Sequence, residues 1–110
     1  MIKLCIPDIQ EAEIMAAVDA IKSGWLAHGP YNKKLETSFR EYVGVKHAIT
    51  CNSCTSALFL VLKSLNVTGE VIVPSFSFVA TANAVVTAGA TPRFVDIEYG
   101  SCNIDPENIK

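Results

Sequence analysis

The chain has 110 residues, half of them hydrophobic and 18% charged where about 25% is ordinary, and a formal net charge of −2. That is one small domain's worth of sequence, too apolar to stay disordered and without the cationic face that nucleic-acid phosphates demand. No apolar stretch approaches the roughly 20 residues that span a bilayer, and the opening Met-Ile-Lys-Leu-Cys-Ile-Pro lacks a signal peptide's apolar core, so a cytoplasmic protein is expected.

The first predicted element is an amphipathic helix with Ile14, Val18 and Ile21 on one stripe and Met15 and Ala17 filling it. Asp8 with Glu11 is the expected capping pair, and Gly24 suits a left-handed helix end. A loop, Gly24-Trp25-Leu26-Ala27-His28-Gly29-Pro30, leads to a second helix with Leu35, Phe39 and Tyr42 in register and Gly44 as its stop. Residues 46–51 (KHAITC) read as a short strand. Asn52 or Ser53 can then cap a helix over roughly 55–65, apolar nearly all round and therefore expected to be heavily covered. Residues 70–73 form an apolar strand of the parallel-sheet type, 77–87 a helix of small residues that stops at Gly89, and 91–95 a third strand. Strand, helix, strand, helix, strand at this spacing predicts an α/β sheet with right-handed crossovers.

Three segments could carry chemistry. Cys51-Asn52-Ser53-Cys54 is a Cys-x-x-Cys at a strand-to-helix junction, where the helix dipole favours a thiolate. It lacks an aromatic before the first cysteine, and a zinc site built with His47 and Cys102 or Cys5 would want a second close pair, so reduced structural thiols are the simpler reading. The same stretch read without sulfur, Asn52-Ser53-Cys54-Thr55-Ser56, sets hydroxyls and backbone N–H groups where a helix start can hold an anion, although N-capping alone would use the same residues. Phe76 and Phe78 follow the carboxyl end of a strand, where open α/β sheets bind ligands and an aromatic can stack on a planar ring. His28 and His47 have no nucleophile at a familiar spacing, and no glycine-rich nucleotide loop is present.

Taken together, Ser23-Gly24-Trp25-Leu26-Ala27-His28-Gly29-Pro30, Thr50-Cys51-Asn52-Ser53-Cys54-Thr55-Ser56-Ala57-Leu58, the stretch from Glu70-Val71-Ile72-Val73-Pro74-Ser75 through Ala80-Thr81-Ala82-Asn83, and Gly89-Ala90-Thr91-Pro92-Arg93-Phe94-Val95-Asp96 resemble the DegT/DnrJ/StrS family of pyridoxal-phosphate-dependent sugar aminotransferases. The resemblance implies that Thr55 and Ser56 hold the phosphate of pyridoxal 5′-phosphate, that Ser53 and Cys54 shape that turn, and that Phe78 stacks on the pyridine ring. Gly24 and Trp25 would lie near the active-site mouth or a dimer contact. It implies transfer of an amino group from an amino acid, glutamate in most members, to a keto-sugar carried on a nucleotide, by a homodimer serving cell-surface polysaccharide synthesis.

The implied fold is the three-layer α/β/α large domain of these enzymes, represented here by its N-terminal helices and first three strands. Residues 1–45 would be an N-terminal helical segment with an active-site loop, and residues 46–110 the opening βαβαβ part of the cofactor-binding domain. In the family's seven-stranded order 3-2-4-5-6-7-1, the second and third strands pair and the first belongs at the far edge. The Schiff-base lysine and the aspartate at the pyridine nitrogen would lie beyond Lys110; Lys63, Lys110, Asp96 and Asp105 match neither position, so no catalytic or metal-binding residue is assigned. Two other readings stay open at this level, a thioredoxin-like dithiol oxidoreductase using Cys51 and Cys54 and a non-enzymatic α/β interaction domain.

Overall fold

A computed structural model describes residues 5–109; Lys110 lies outside the described residues. In chain order these hold α1 (Glu11–Lys22), α2 (Pro30–Val43), α3 (Cys54–Ser64), β1 (Glu70–Pro74), α4 (Ala80–Ala88), β2 (Thr91–Val95) and a 3-10 turn over Pro106–Asn108. They divide into two compact units, Met1–Thr50 and Cys51–Lys110. Among the described residues no helix is long and apolar enough to cross a membrane.

In the first unit α1 and α2 begin and end where local chemistry dictates. The expected Asp8 and Glu11 pair does not cap α1. Gln10 occupies the cap, and the Glu13 carboxylate, three residues on, accepts its backbone N–H at 2.9 Å. Asp8 is left to accept from the Gln10 side-chain amide at 3.4 Å. Helix α2 starts at Pro30, whose fixed φ and missing N–H suit a first helical position, and Asn32 Oδ1 accepts the Gly29 N–H at 3.1 Å. Gly44 ends the helix at φ +74°, as its sequence position predicts.

Residues 46–51 are not a strand. A strand exists through its ladder, and the fold implied by the resemblance puts this segment beside strands that the described residues do not include. Ile49 is accordingly 83% exposed. A carboxylate does the tethering that a ladder would have done: Glu36 on α2 accepts both the backbone N–H and the hydroxyl of Thr50, each at 2.9 Å. Asn32, one turn earlier, donates to the Thr50 hydroxyl oxygen at 3.3 Å. The same Glu36 oxygen lies 3.3 Å from His28 Nε2.

The second unit is a β1-α4-β2 crossover with α3 packed on α4. Strands β1 and β2 are parallel neighbours in the register Glu70↔Thr91 through Pro74↔Val95, the pairing expected of the family's second and third strands. Val73, Val85 and Ala90 form the core, flanked by Leu62, Val67 and Val71. Gly89 ends α4 at φ +93°, a conformation that the sharp turn into β2 requires and that a Cβ would strain. Helix α4 begins at Ala80, three residues later than its sequence suggests; the Ser77 and Thr81 hydroxyls pair at 2.8 Å, and Ser75–Phe78 form a loop. The heavy cover expected over α3 is absent among the described residues: Leu58, Leu60, Val61 and Leu65 are all exposed.

Two outcomes follow. Val85 is 2% exposed and its neighbour Val86 59%, so Val85→Ala should cost about 2 kcal/mol in urea unfolding and Val86→Ala less than about 0.5 kcal/mol. The Thr50 backbone N–H and then its hydroxyl hold the Glu36 pKa below its ordinary value of 4.5; desolvation opposes them, and His28 adds to them. A depressed folded pKa means that this tether is complete above pH 4.5 and is lost as the pH falls through the lower folded value. Protection of the Thr50 amide from hydrogen exchange should therefore drop only on acidification below that point, and Glu36→Gln should abolish the transition. An acid transition that survives the substitution would assign it to another group.

Candidate functional site

Ser53 has extended backbone at the head of α3, and its Oγ accepts the Ser56 N–H at 3.1 Å. Its own proton goes to Ser56 Oγ at 3.0 Å, which leaves the Ser56 hydroxyl proton free to point elsewhere. One residue thus satisfies one N–H of the first turn and orients a hydroxyl. The N–H groups of Cys54 and Thr55, at the first two helical positions, have no intrahelical acceptor by the geometry of any α-helix. The first turn carries no acidic side chain, so nothing on α3 itself neutralises the positive end of its dipole. Ser53, Cys54 and Thr55 are exposed and Ser56 half-buried. Converging N–H and O–H donors at an uncompensated helix start can hold a dianion.

Phe78 lies in the loop between β1 and α4. Its carbonyl accepts the Thr81 N–H at 3.0 Å, and the Ser77–Thr81 hydroxyl pair holds the turn from the other side. The residue is 78% exposed. Phe76 is exposed as well, so neither phenylalanine belongs to the core. At the same carboxyl edge of the sheet, Ser75 donates its N–H to the Val95 carbonyl at 2.8 Å and its hydroxyl to Asp96 at 3.4 Å, tying the ends of both strands together.

An open apolar groove of about 310 Å³ lies between α3, β1 and α4. Cys54 from the start of α3 and Thr81 from the start of α4 both line it, with Val61, Val73 and Val85 among the apolar walls. The structure therefore brings Ser53, Cys54, Thr55 and Ser56 together in one turn and places Phe78 at the head of the neighbouring helix. Gly24, at φ +74°, and exposed Trp25 fall in the first unit. The Trp25 ring covers Gly29, where an added Cβ would come within 3.2 Å of the indole. All four cysteines are free and exposed, and Cys51 and Cys54 form no disulfide.

Sequence reasoning passed over Glu36, whose carboxylate meets the Thr50 N–H, the Thr50 hydroxyl and His28. Its signal was a carboxylate between Leu35 and Phe39, on the margin of an apolar stripe, where an acid with no role would be solvated.

Comparison with known proteins agrees with this geometry. Residues 7–110 match the family model described as the DegT/DnrJ/EryC1/StrS aminotransferase family. The spore coat polysaccharide biosynthesis protein SpsC of Bacillus subtilis is 42% identical over 107 residues, which are 96% of this chain and 28% of that protein. The dTDP-4-amino-4,6-dideoxy-D-glucose transaminase of Escherichia coli is 43% identical over 94% of this chain and 29% of its own length. Among solved structures, Spr1654 of Streptococcus pneumoniae, assigned as a sugar aminotransferase, superposes in its apo form with a TM-score of 0.91 at 38% identity, over 98% of this chain and 28% of that one. Its PLP form gives 0.87 at 39% identity, over 94% of this chain and 27% of that one. The chain thus spans a little over a quarter of the length of the relatives it matches, and the dithiol and non-enzymatic readings find no support. With the family model covering nearly every residue and the paired strands, helix start and exposed loop all in their expected order, the chain belongs to the DegT/DnrJ/EryC1/StrS aminotransferase family.

Proposed function

We propose that this chain supplies the phosphate-binding and ring-stacking half of the active site of a pyridoxal-phosphate-dependent aminotransferase acting on a nucleotide-linked keto-sugar. The observation that carries the reading is the start of α3, where two N–H groups without intrahelical acceptors, an orientable Ser56 hydroxyl and the Thr55 hydroxyl surround a helix end with no acid in its first turn. That donor set fits a phosphate dianion. Thr55 and Ser56 bind it, Ser53 and Cys54 shape the turn, and the exposed Phe78 ring stacks on the pyridine. When bound, the cofactor supplies the electron sink through which an amino group changes partners. This chain's residues anchor and orient; no proton transfer is assigned to them.

Relatives named as a dTDP-sugar transaminase and a GDP-perosamine synthase support a sugar nucleotide as acceptor, with an amino acid such as glutamate as donor. SpsC supports a place in polysaccharide synthesis. The family resemblance is the ground for a homodimer, and four free cysteines favour the reducing cytoplasm. Residues 1–45 serve as an N-terminal helical segment with an active-site loop and residues 46–110 as the opening part of the cofactor-binding domain.

The decisive experiment compares binding of pyridoxal 5′-phosphate and of pyridoxal to a protein carrying this sequence within a complete family fold. Ser56→Ala should weaken the phosphorylated ligand about tenfold and leave pyridoxal unchanged. Phe78→Ala should weaken both. Equal affinity of wild type and Ser56→Ala for pyridoxal 5′-phosphate would remove the phosphate assignment. The 110-residue chain by itself, given cofactor, glutamate and a keto-sugar nucleotide, should release no aminated sugar; turnover would overturn the division of labour proposed here.

A further inference from the structure

We infer that Thr81 is a positioning residue for Phe78: at the head of α4 it ties the loop that carries the ring to the packed face of the helix. This role rests on the ring-stacking reading of Phe78 and adds to it a residue that acts on the cofactor only through that ring.

Thr81 belongs to two environments at once. Along α4 it heads the stripe Thr81, Ala84, Val85 and Ala88, whose last three members are buried. Thr81 itself is half-buried and lines the groove between α3, β1 and α4 together with Val73 and Val85. Its polar atoms reach the loop. The Thr81 N–H donates to the Phe78 carbonyl at 3.0 Å, and its hydroxyl pairs with the Ser77 hydroxyl at 2.8 Å. Val79 stands at the cap position of α4 and has no side-chain acceptor for a helix N–H, so the usual side-chain cap is missing from this junction. Ser77 and Phe78, both exposed, are instead each held by Thr81. All of these residues lie within the second unit.

Peptide planarity makes that pair of contacts effective. Between planar peptide units Phe78 has two soft dihedrals, φ and ψ, that set the direction of its Cα–Cβ bond. Holding Ser77 restrains the chain before them, and holding the Phe78 carbonyl restrains the chain after them. Phe78 is 78% exposed, so packing does little to fix its side chain. Without the Thr81 contacts the loop would be ordered only when a planar ligand arrived, at a cost in affinity. Threonine suits the place because its branched Cβ limits χ1, so a side chain seated in the groove keeps its hydroxyl in one direction.

The test is a double-mutant cycle between Thr81→Val and Phe78→Ala in a protein carrying this sequence within a complete family fold, with pyridoxal and inorganic phosphate as probes. Thr81→Val keeps the branched shape and removes the hydroxyl; it should weaken pyridoxal about threefold and leave inorganic phosphate within about 1.5-fold. In the Phe78→Ala background the same substitution should change pyridoxal affinity by less than about 1.5-fold, because the ring it acts through is gone. Thr81→Ser, which keeps the hydroxyl, should retain most of the wild-type affinity. An equal loss in both backgrounds, or a parallel loss of inorganic phosphate, would mark Thr81 as a fold stabiliser and overturn the proposal. An unchanged pyridoxal affinity in Thr81→Val, or a loss in Thr81→Ser as large as in Thr81→Val, would overturn it as well. If Thr81→Val does not fold, Ser77→Ala, confined to the exposed loop, must show the same coupling to Phe78 or the proposal fails. Phe78→Ala alone separates the two layers: if it weakens pyridoxal and Thr81→Val does not, only the positioning role falls. If neither variant weakens it, the stacking reading falls too.

Discussion

Two parallel strands cannot be joined by a tight turn, and this constraint organises the second unit. Between the end of β1 and the start of β2 the chain must travel back along the sheet, and α4 is that return. The crossover makes the core, because Val85 on α4 meets Val73 on β1, and Ala90 fills the turn into β2. It also decides where exposed chemistry can gather. Parallel strands finish at one edge, so Ser75 and Asp96 hydrogen-bond there, and the loop from β1 into α4 presents Phe78 just past it. A hairpin of the same two strands would have scattered these groups to opposite ends.

At the head of α3 a small economy of hydrogen bonds has a large chemical effect. Ser53 could have spent its hydroxyl on solvent; it accepts one backbone N–H and passes its proton to Ser56 instead. The result is a helix start stabilised without any carboxylate, so the cap and an external anion do not compete for the same field. An aspartate in place of Ser53 would cap as well and repel a phosphate. The exposure of Cys54 and its place on the groove fit this picture of a shaped turn.

Much of this was legible in the residues. Gly44 and Gly89 announce helix ends because both stand where φ must turn positive, and Pro30 announces a helix start because it needs no N–H. The strand pair was readable from two short apolar runs separated by a helix-length segment. What could not be read depends on partners remote in sequence. Residues 46–51 have strand composition, yet composition cannot provide the neighbour that turns an extended segment into a strand. The cap of α1 went to Gln10 instead of Asp8 because Glu13 reaches back to it, a contest between two local solutions of similar energy. Glu36 was silent for a related reason, since its partner Thr50 lies fourteen positions away and has no periodic signature. At the head of α3 the donors around Ser53 were visible in the residue types, while the direction of the Ser53 proton needed coordinates.

The register of the two strands has a consequence in time. Glu70 pairs with Thr91, so the contacts that define the second unit link residues only about twenty positions apart. Closing so short a loop costs less chain entropy than pairing strands far apart in sequence. During synthesis at roughly 5–20 residues per second, the crossover can assemble within seconds of leaving the ribosome. The head of α3 would then stand on an ordered platform early.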